Sequence, residues 1–268
     1  EGDKMLVIGE KLNTSRAEVE KAAKARDTLT IQSIAKTQEA AGAHYIDINC
    51  GTFLEEEPET LAWMTQVVQE AIKKPLCIDS PNPEAIKAAL KINKGRKPII
   101  NSITAQKNRY KDILPLVTGF GASVIALCMD DEGIPETIDG RVSVAIKLVN
   151  NLTRDGVPIE DILIDPMIQP LATCQSAGFM ALKTLASIKC EIPGVRTVCG
   201  LSNISFGLPQ RQSINNAFLV LAIKAGLDAA IMDPLSPGIM TIMHAAELIS
   251  GEDEYCGKYI QAIRDLNQ

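Results

Sequence analysis

Short apolar runs alternate along this chain with longer stretches of helical hydrophobic period, and nearly every run ends in a carboxylate or an amide. Met5 to Ile8 closes at Gly9, Glu10 and Asn13, after which Ile31, Ile34 and Ala35 mark a helix stopping near Gly42. Tyr45 to Ile48 carries Asp47 and closes at Asn49 and Gly51, and Leu61, Met64, Val68, Ala71 and Ile72 share one face of the next helix. Leu76 to Ile78 ends in Asp79 and Ser80, Pro98 to Ile100 in Asn101, and Ser123 to Cys128 in Met129, Asp130 and Asp131. Ile162 to Ile164 ends in Asp165, Val195 to Cys199 runs into Gly200, Ser202, Asn203 and Ser205, and Ala229 to Met232 ends in Asp233 and Pro234. Helical faces follow on Ile113 and Val117 (stopping at Gly119), Val142 and Ile146, Leu182 and Leu185, Phe218 and Leu221, and Ile239 and Met243. Asn82-Pro83 reads as an N-cap with a first-turn proline, and Asp27 also suits a cap.

Eight strand-then-helix units in about 250 residues predict an α/β chain folded as a (β/α)8 barrel, one domain over residues 1–268. Tyr259, Ile263 and Leu266 mark an appended C-terminal helix. Strands rich in Ile, Val and Leu without strict alternation suit a parallel sheet covered on both sides. A doubly wound open sheet would place a glycine-rich phosphate loop after its first strand, and Gly9-Glu10-Lys11 is not one.

In a barrel, the C-terminal strand ends converge. Glu10, Asp47, Asn49, Asp79, Asn101, Asp130, Asp165, Asn203 and Asp233 would therefore gather at one mouth. Any one of them also suits a helix cap. The acidic runs Glu55 to Glu57 and Asp130 to Glu132 read as solvated loop charge. Two ligand classes fit carboxylates and amides without histidine. One is a divalent cation held by hard oxygen ligands; the other is a heterocycle whose 2-amino-4-oxo edge gives two parallel N–H bonds to a carboxylate while Asn serves its remaining atoms.

Composition narrows the partners. At 46% hydrophobic the chain can bury a large core, and its net charge of −6, with 27 basic against 33 acidic residues, disfavours nucleic acid and anionic membranes. No run of about 18 apolar residues occurs, so the chain is expected to be soluble and cytoplasmic, with Glu1 to Lys4 an appendage ahead of Met5. Seven cysteines form no CxxC pair and suit reduced thiols. With His44 and His244 as the only histidines, no protein-bound metal is expected.

The motifs IGEKLN (8–13), YIDINCGT (45–52), CIDSPNP (77–83), INSIT (100–104), MDDEGIP (129–135), IDPMIQP (164–170) and GLSNISFG (200–207) stand in order at the strand ends. Together they make the chain similar to the pterin-binding methyltransferases that act on methyltetrahydrofolate and a corrinoid protein. The resemblance spans nearly the whole chain. It implies that Asp79, Asn101 and Asp165 hold a pterin ring, with Asp165 also in the catalytic set, and that Gly200 and Ser202 line the pocket. Asn203 would act near N5, and Arg211 stands where the family has an arginine close to the site. Glu10, Asn13, Asp47, Asn49, Met129 and Asp233 complete the candidate set. Phe206 to Pro209 departs from the more polar stretch expected in the loop facing the corrinoid.

The implied reaction moves a methyl group between N5 of tetrahydrofolate and cobalt, in either direction. Neither histidine sits in an Asp-x-His corrinoid motif, so the cobalamin would arrive on a separate protein. The family also implies a homodimer. Three other readings compete: a dihydropteroate synthase-like enzyme, a noncatalytic folate-binding module, and a magnesium enzyme using Asp47, Asp79 and Asp165. The first needs cations for a pyrophosphate, and the last strand ends instead in Met232-Asp233-Pro234.

Overall fold

Val, Ile and Leu dominate runs too short for helices, and each run becomes one strand of a closed parallel barrel in the order β1 to β8. The computed structural model describes residues 5–251 and 253–266. The expected appendage Glu1 to Lys4 lies outside them. The strands are β1 (Leu6–Asn13), β2 (Tyr45–Asn49), β3 (Leu76–Asp79), β4 (Ile99–Thr104), β5 (Ser123–Leu127), β6 (Ile162–Asp165), β7 (Arg196–Gly200) and β8 (Ala229–Met232). The helices are α1 (Ala17–Lys24), α2 (Thr28–Ala40), α3 (Glu57–Ala71), α4 (Pro83–Ile92), α5 (Lys107–Phe120), α6 (Ile138–Arg154), α7 (Ala177–Glu191), α8 (Arg211–Lys224), α9 (Ile239–Ser250) and the appended α10 (Gly257–Leu266).

Two apolar layers hold the barrel. The larger lies between sheet and helices; the smaller plugs the inside with Ile8, Cys77, Ile99, Ile125, Leu163, Val198 and Ala229. Strand side chains alternate between faces, so the next inward position above this plug is two residues further on. That step leads from Ile8 to Glu10, Cys77 to Asp79, Ile99 to Asn101, Leu163 to Asp165 and Val198 to Gly200. Asn49, Asp79 and Asn101 are register partners across β2, β3 and β4. The polar floor of the mouth is thus the last inward layer of the sheet.

Several boundaries differ from the sequence reading. β1 extends to Asn13 rather than ending at Ile8, with a register shift between Gly9 and Leu12 after which the fully buried Leu12 packs in the layer between sheet and helices. α1 is an additional short helix whose Val19, Ala22 and Ala23 are buried. α5 runs through Gly119 and stops at Gly121, whose φ of 60° suits a left-handed cap. Asp27 and Asn82 do cap α2 and α4, accepting from Thr30 N and Glu84 N.

Candidate active site

A cavity of about 640 Å³ opens at the C-terminal ends of the strands, a size that suits a small organic ligand. Its lining includes Glu10, Asn13, Asp47, Asp79, Asn101, Asp165, Gly200, Ser202, Asn203, Arg211 and Asp233. Five carboxylates face only two guanidiniums, Arg16 and Arg211, across it. Among the described residues, no group of three His, Cys, Asp or Glu side chains is arranged to hold a metal ion.

Two floor carboxylates, Asp79 and Asp165, are oriented from behind. Asn49 Nδ2 donates to Asp79 Oδ2 at 2.8 Å, and Gly51 N donates to Asn49 Oδ1 at 3.0 Å, which fixes the amide and with it the carboxylate. Burial pushes the Asp79 carboxyl up to about 6, against the lowering effect of the Asn49 bond. Arg109 donates to the carbonyls of Ser80, Pro81 and Ser102, tying together the loops after β3 and β4 beside Asp79 and Asn101. The Asn101–Ser102 peptide bond is cis.

Asp165 accepts from Met167 N at 2.7 Å, and Met167 adopts φ 63°, in the left-handed region. Arg141, only 1% exposed, donates to Pro166 O, Met167 O and Gln169 Oε1 and so clamps this bend from outside the barrel. Burial also pushes the Asp165 carboxyl up to about 6, with the Met167 amide and the Arg141 charge acting the other way.

After β7 the chain makes a 3-10 turn, Leu201–Ser205, that projects Asn203 at the lip. Arg211 holds the turn, donating from Nη2 to Ser202 O at 2.8 Å and from Nε to Ser205 Oγ at 3.0 Å. Gly200 gives the amide its room: a Cβ there would meet Asn203 Nδ2 at 3.0 Å. Ser202 Oγ donates to Glu10 Oε1 at 2.7 Å, and burial pushes the Glu10 carboxyl upward. Phe206 is exposed at the lip, and the Arg211 guanidinium carbon lies 5.9 Å from its ring centre.

Three candidates do not line the cavity. Asn49 sits behind Asp79 as its orienting partner. Met129 uses its backbone to reach Leu127 O and to accept from Ala105 N. Asp130 closes a turn onto Gly133 and accepts from Glu132 N. Glu57 also corrects the solvated-loop reading: it is 3% exposed and accepts from Ser80 Oγ at 2.7 Å. Conversely, Arg16, Leu127, Met167, Ile231 and Asn215 line the cavity without having been anticipated. Asn215 follows Arg211 by four residues on α8, and that helical spacing is the signal that finds it.

A closed parallel barrel with an acid- and amide-lined cavity at its C-terminal strand ends has the form of a barrel enzyme. Residues 9–233 match the family model described as pterin binding enzyme, and the chain belongs to that family. It is 38% identical over 264 residues to a protein named methylcorrinoid:tetrahydrofolate methyltransferase from Eubacterium limosum, covering 97% of this chain and 96% of that protein. It is 33% identical over 245 residues to the methionine synthase of Mycobacterium leprae, covering 85% of this chain and 20% of that much longer protein. Among solved structures, a dihydropteroate synthase from Coxiella burnetii in complex with pteroic acid superposes with a TM-score of 0.71 at 15% identity, covering 93% of this chain and 94% of that one. At that identity the likeness concerns the fold.

Proposed function

We propose that this chain binds tetrahydrofolate through its pterin ring and transfers a methyl group between N5 and the cobalt of a separate corrinoid protein. The observation that carries this reading is the near full-length match, at 38% identity, to the methylcorrinoid:tetrahydrofolate methyltransferase. Asp79 and Asp165 accept the N–H groups of the ring, and Asn101 serves its remaining polar edge. Gly200 and Ser202 flank the ring, and Asn203 approaches N5. The corrinoid supplies a cobalt that gives or takes the methyl group; the residues of this chain act on the folate. A tertiary amine leaves poorly, so a donor at N5 stabilises charge that develops as the bond breaks. Asn203 is an amide donor exposed at the lip, and the proton itself comes from the solvent. Glu10, Asn13 and Asp233 complete the wall, while Asn49 and Arg211 act by position.

The reading extends to a homodimer and a cytoplasmic protein. Exposed Val220 and Leu221 on α8 offer apolar surface for the first, and seven cysteines without a disulfide suit the second. Among the described residues no helix is long and apolar enough to cross a membrane. The dihydropteroate synthase alternative draws on solved structures at low identity, 15% for the Coxiella burnetii enzyme, against 38% for the methyltransferase.

Anoxic mixing tests the reaction. Tetrahydrofolate with methylcob(III)alamin, and methyltetrahydrofolate with cob(I)alamin, are each followed by cobalt absorption with and without the protein, using free and protein-borne corrinoid. Acceleration is expected in at least one mixture. Confirmed folate binding with no acceleration in any of them would leave the noncatalytic folate module.

Folate affinity should also fall as pH drops through about 6. The free Asp79 and Asp165 carboxyls titrate at about 6, whereas the bound ring selects their ionised forms, so binding below that pH releases protons. Calorimetry in two buffers of different ionisation enthalpy counts them. A pH-independent affinity between 5 and 7 would remove both carboxylates from the ring.

A further inference from the structure

Asp47 lies on β2 at the floor of the cavity, only 3% exposed, and its Oδ1 is buried without a hydrogen-bond partner. The charged groups that face it are acids: Asp79 on β3, the neighbouring strand, and Glu10 on β1. Cys77 on β3 and Asn101 on β4 are its polar neighbours, and both act to lower its carboxyl against the larger effects of burial and the Asp79 charge. The nearby cations are engaged elsewhere. Arg211 holds the Ser202 turn, Arg16 lies 3.6 Å from Glu10, and Arg109 donates to the carbonyls behind β3 and β4. No cationic side chain hydrogen-bonds Asp47 among the described residues.

An ionised carboxylate here would be buried with an unpaired oxygen beside a second carboxylate. Both features disfavour charge, and a protonated carboxyl removes both while gaining an O–H donor. Asp79 differs because Asn49 donates to it and its free oxygen faces the cavity. We propose that Asp47 and Asp79 form a one-proton pair, in which Asp47 is the neutral acid donating a hydrogen bond at the cavity floor and Asp79 is the carboxylate that accepts from the ligand. Burial and the Asp79 charge raise the Asp47 carboxyl well above its ordinary range, which agrees with Asp79 ionising first. The location of the proton is a property of the ligand-free protein; its use toward a pterin rests on the proposed function.

The test uses the ligand-free chain with aspartate-selective ¹³C-carboxyl labelling, followed by NMR and infrared spectroscopy. At pH 8, above the range where Asp79 and Asp165 titrate, one aspartate carboxyl should remain protonated, and its signal should be absent from Asp47→Asn. In Asp79→Asn, which lacks the like charge, the same carboxyl should ionise at a lower pH. This second variant decides the matter if Asp47→Asn does not fold. A wild-type spectrum with every aspartate ionised at pH 8, a protonated signal that persists in Asp47→Asn, or an unmoved titration in Asp79→Asn would overturn the pair. Tetrahydrofolate calorimetry adds a functional readout. Affinity should fall about tenfold per pH unit once Asp47 ionises, and Asp47→Asn should lack that alkaline limb. A limb of equal steepness in the variant counts against the pair. Absence of folate binding at every pH would overturn the proposed function and leave the labelled signal to judge the pair.

Discussion

Replacing Asn203 by alanine is expected to lower methyl transfer by about 10² to 10³-fold, the range typical of a lost donor at developing charge, while tetrahydrofolate affinity changes by less than about tenfold. The separation follows from where the side chain sits. Asn203 is exposed at the lip, and none of its side-chain atoms hydrogen-bonds another described residue, whereas in the proposed binding mode the ring edge meets Asp79, Asn101 and Asp165 on the floor. The turn does not depend on the amide, since Arg211 grips the Ser202 carbonyl and the Ser205 hydroxyl. The variant should therefore fold and bind. Rapid-mixing single turnovers, together with calorimetric folate affinity, separate the two effects. Turnover near the wild-type rate, or a loss confined to affinity, would remove Asn203 from the chemical step.

Much of this site can be read from the chain because a parallel barrel converts strand ends into neighbours. Glu10, Asp79, Asn101 and Asp165 are separated by 22 to 69 positions from one to the next, yet each follows an inward plug residue by two, so the period-2 step of its strand delivers it to the mouth. The same reasoning fails where a residue acts sideways. Asn49 looks like a lining residue, but the register places it beside Asp79, where it donates rather than faces the ligand. Asp130 follows an apolar run as the others do, but Leu127 already occupies the inward end of β5, so the acid falls in a turn. Glu57 belongs to an acidic run that looks solvated, and only the packing of α3 against the loop after β3 buries it onto Ser80. Arg141 is a helical arginine with no sequence mark of its position behind Asp165; its burial emerges when α6 and the Pro166–Gln169 bend are brought together.

Asp79→Asn should move ligand binding and fold stability in opposite directions. At pH 7 the native carboxylate is ionised and, in the proposed binding mode, accepts from the ring through its free oxygen; one charge-assisted bond at roughly 1.5 to 3 kcal/mol makes a loss of about 10- to 10²-fold in folate affinity the expected result. The amide is poorly suited to replace it. Asn49 still donates to the oxygen at position 79, which turns the new NH2 toward the donors of the ring. Stability takes the other sign. Burial raises the folded carboxyl from an ordinary value of 3.8 to about 6, so the native chain binds more protons than the unfolded chain between those values and loses stability as pH rises through them. A shift of that size corresponds to about 3 kcal/mol at pH 7, an upper bound on what a neutral side chain relieves. The variant should accordingly unfold at the same or higher temperature than the wild type at pH 7, with that advantage shrinking toward pH 4. Its folate deficit should also narrow below pH 6, where the wild-type carboxylate is itself protonated. Parallel thermal scans and calorimetric titrations at pH 5 and pH 7 give both comparisons. A variant less stable at pH 7 and equally deficient at both pH values would show that Asp79 holds the fold rather than the ring.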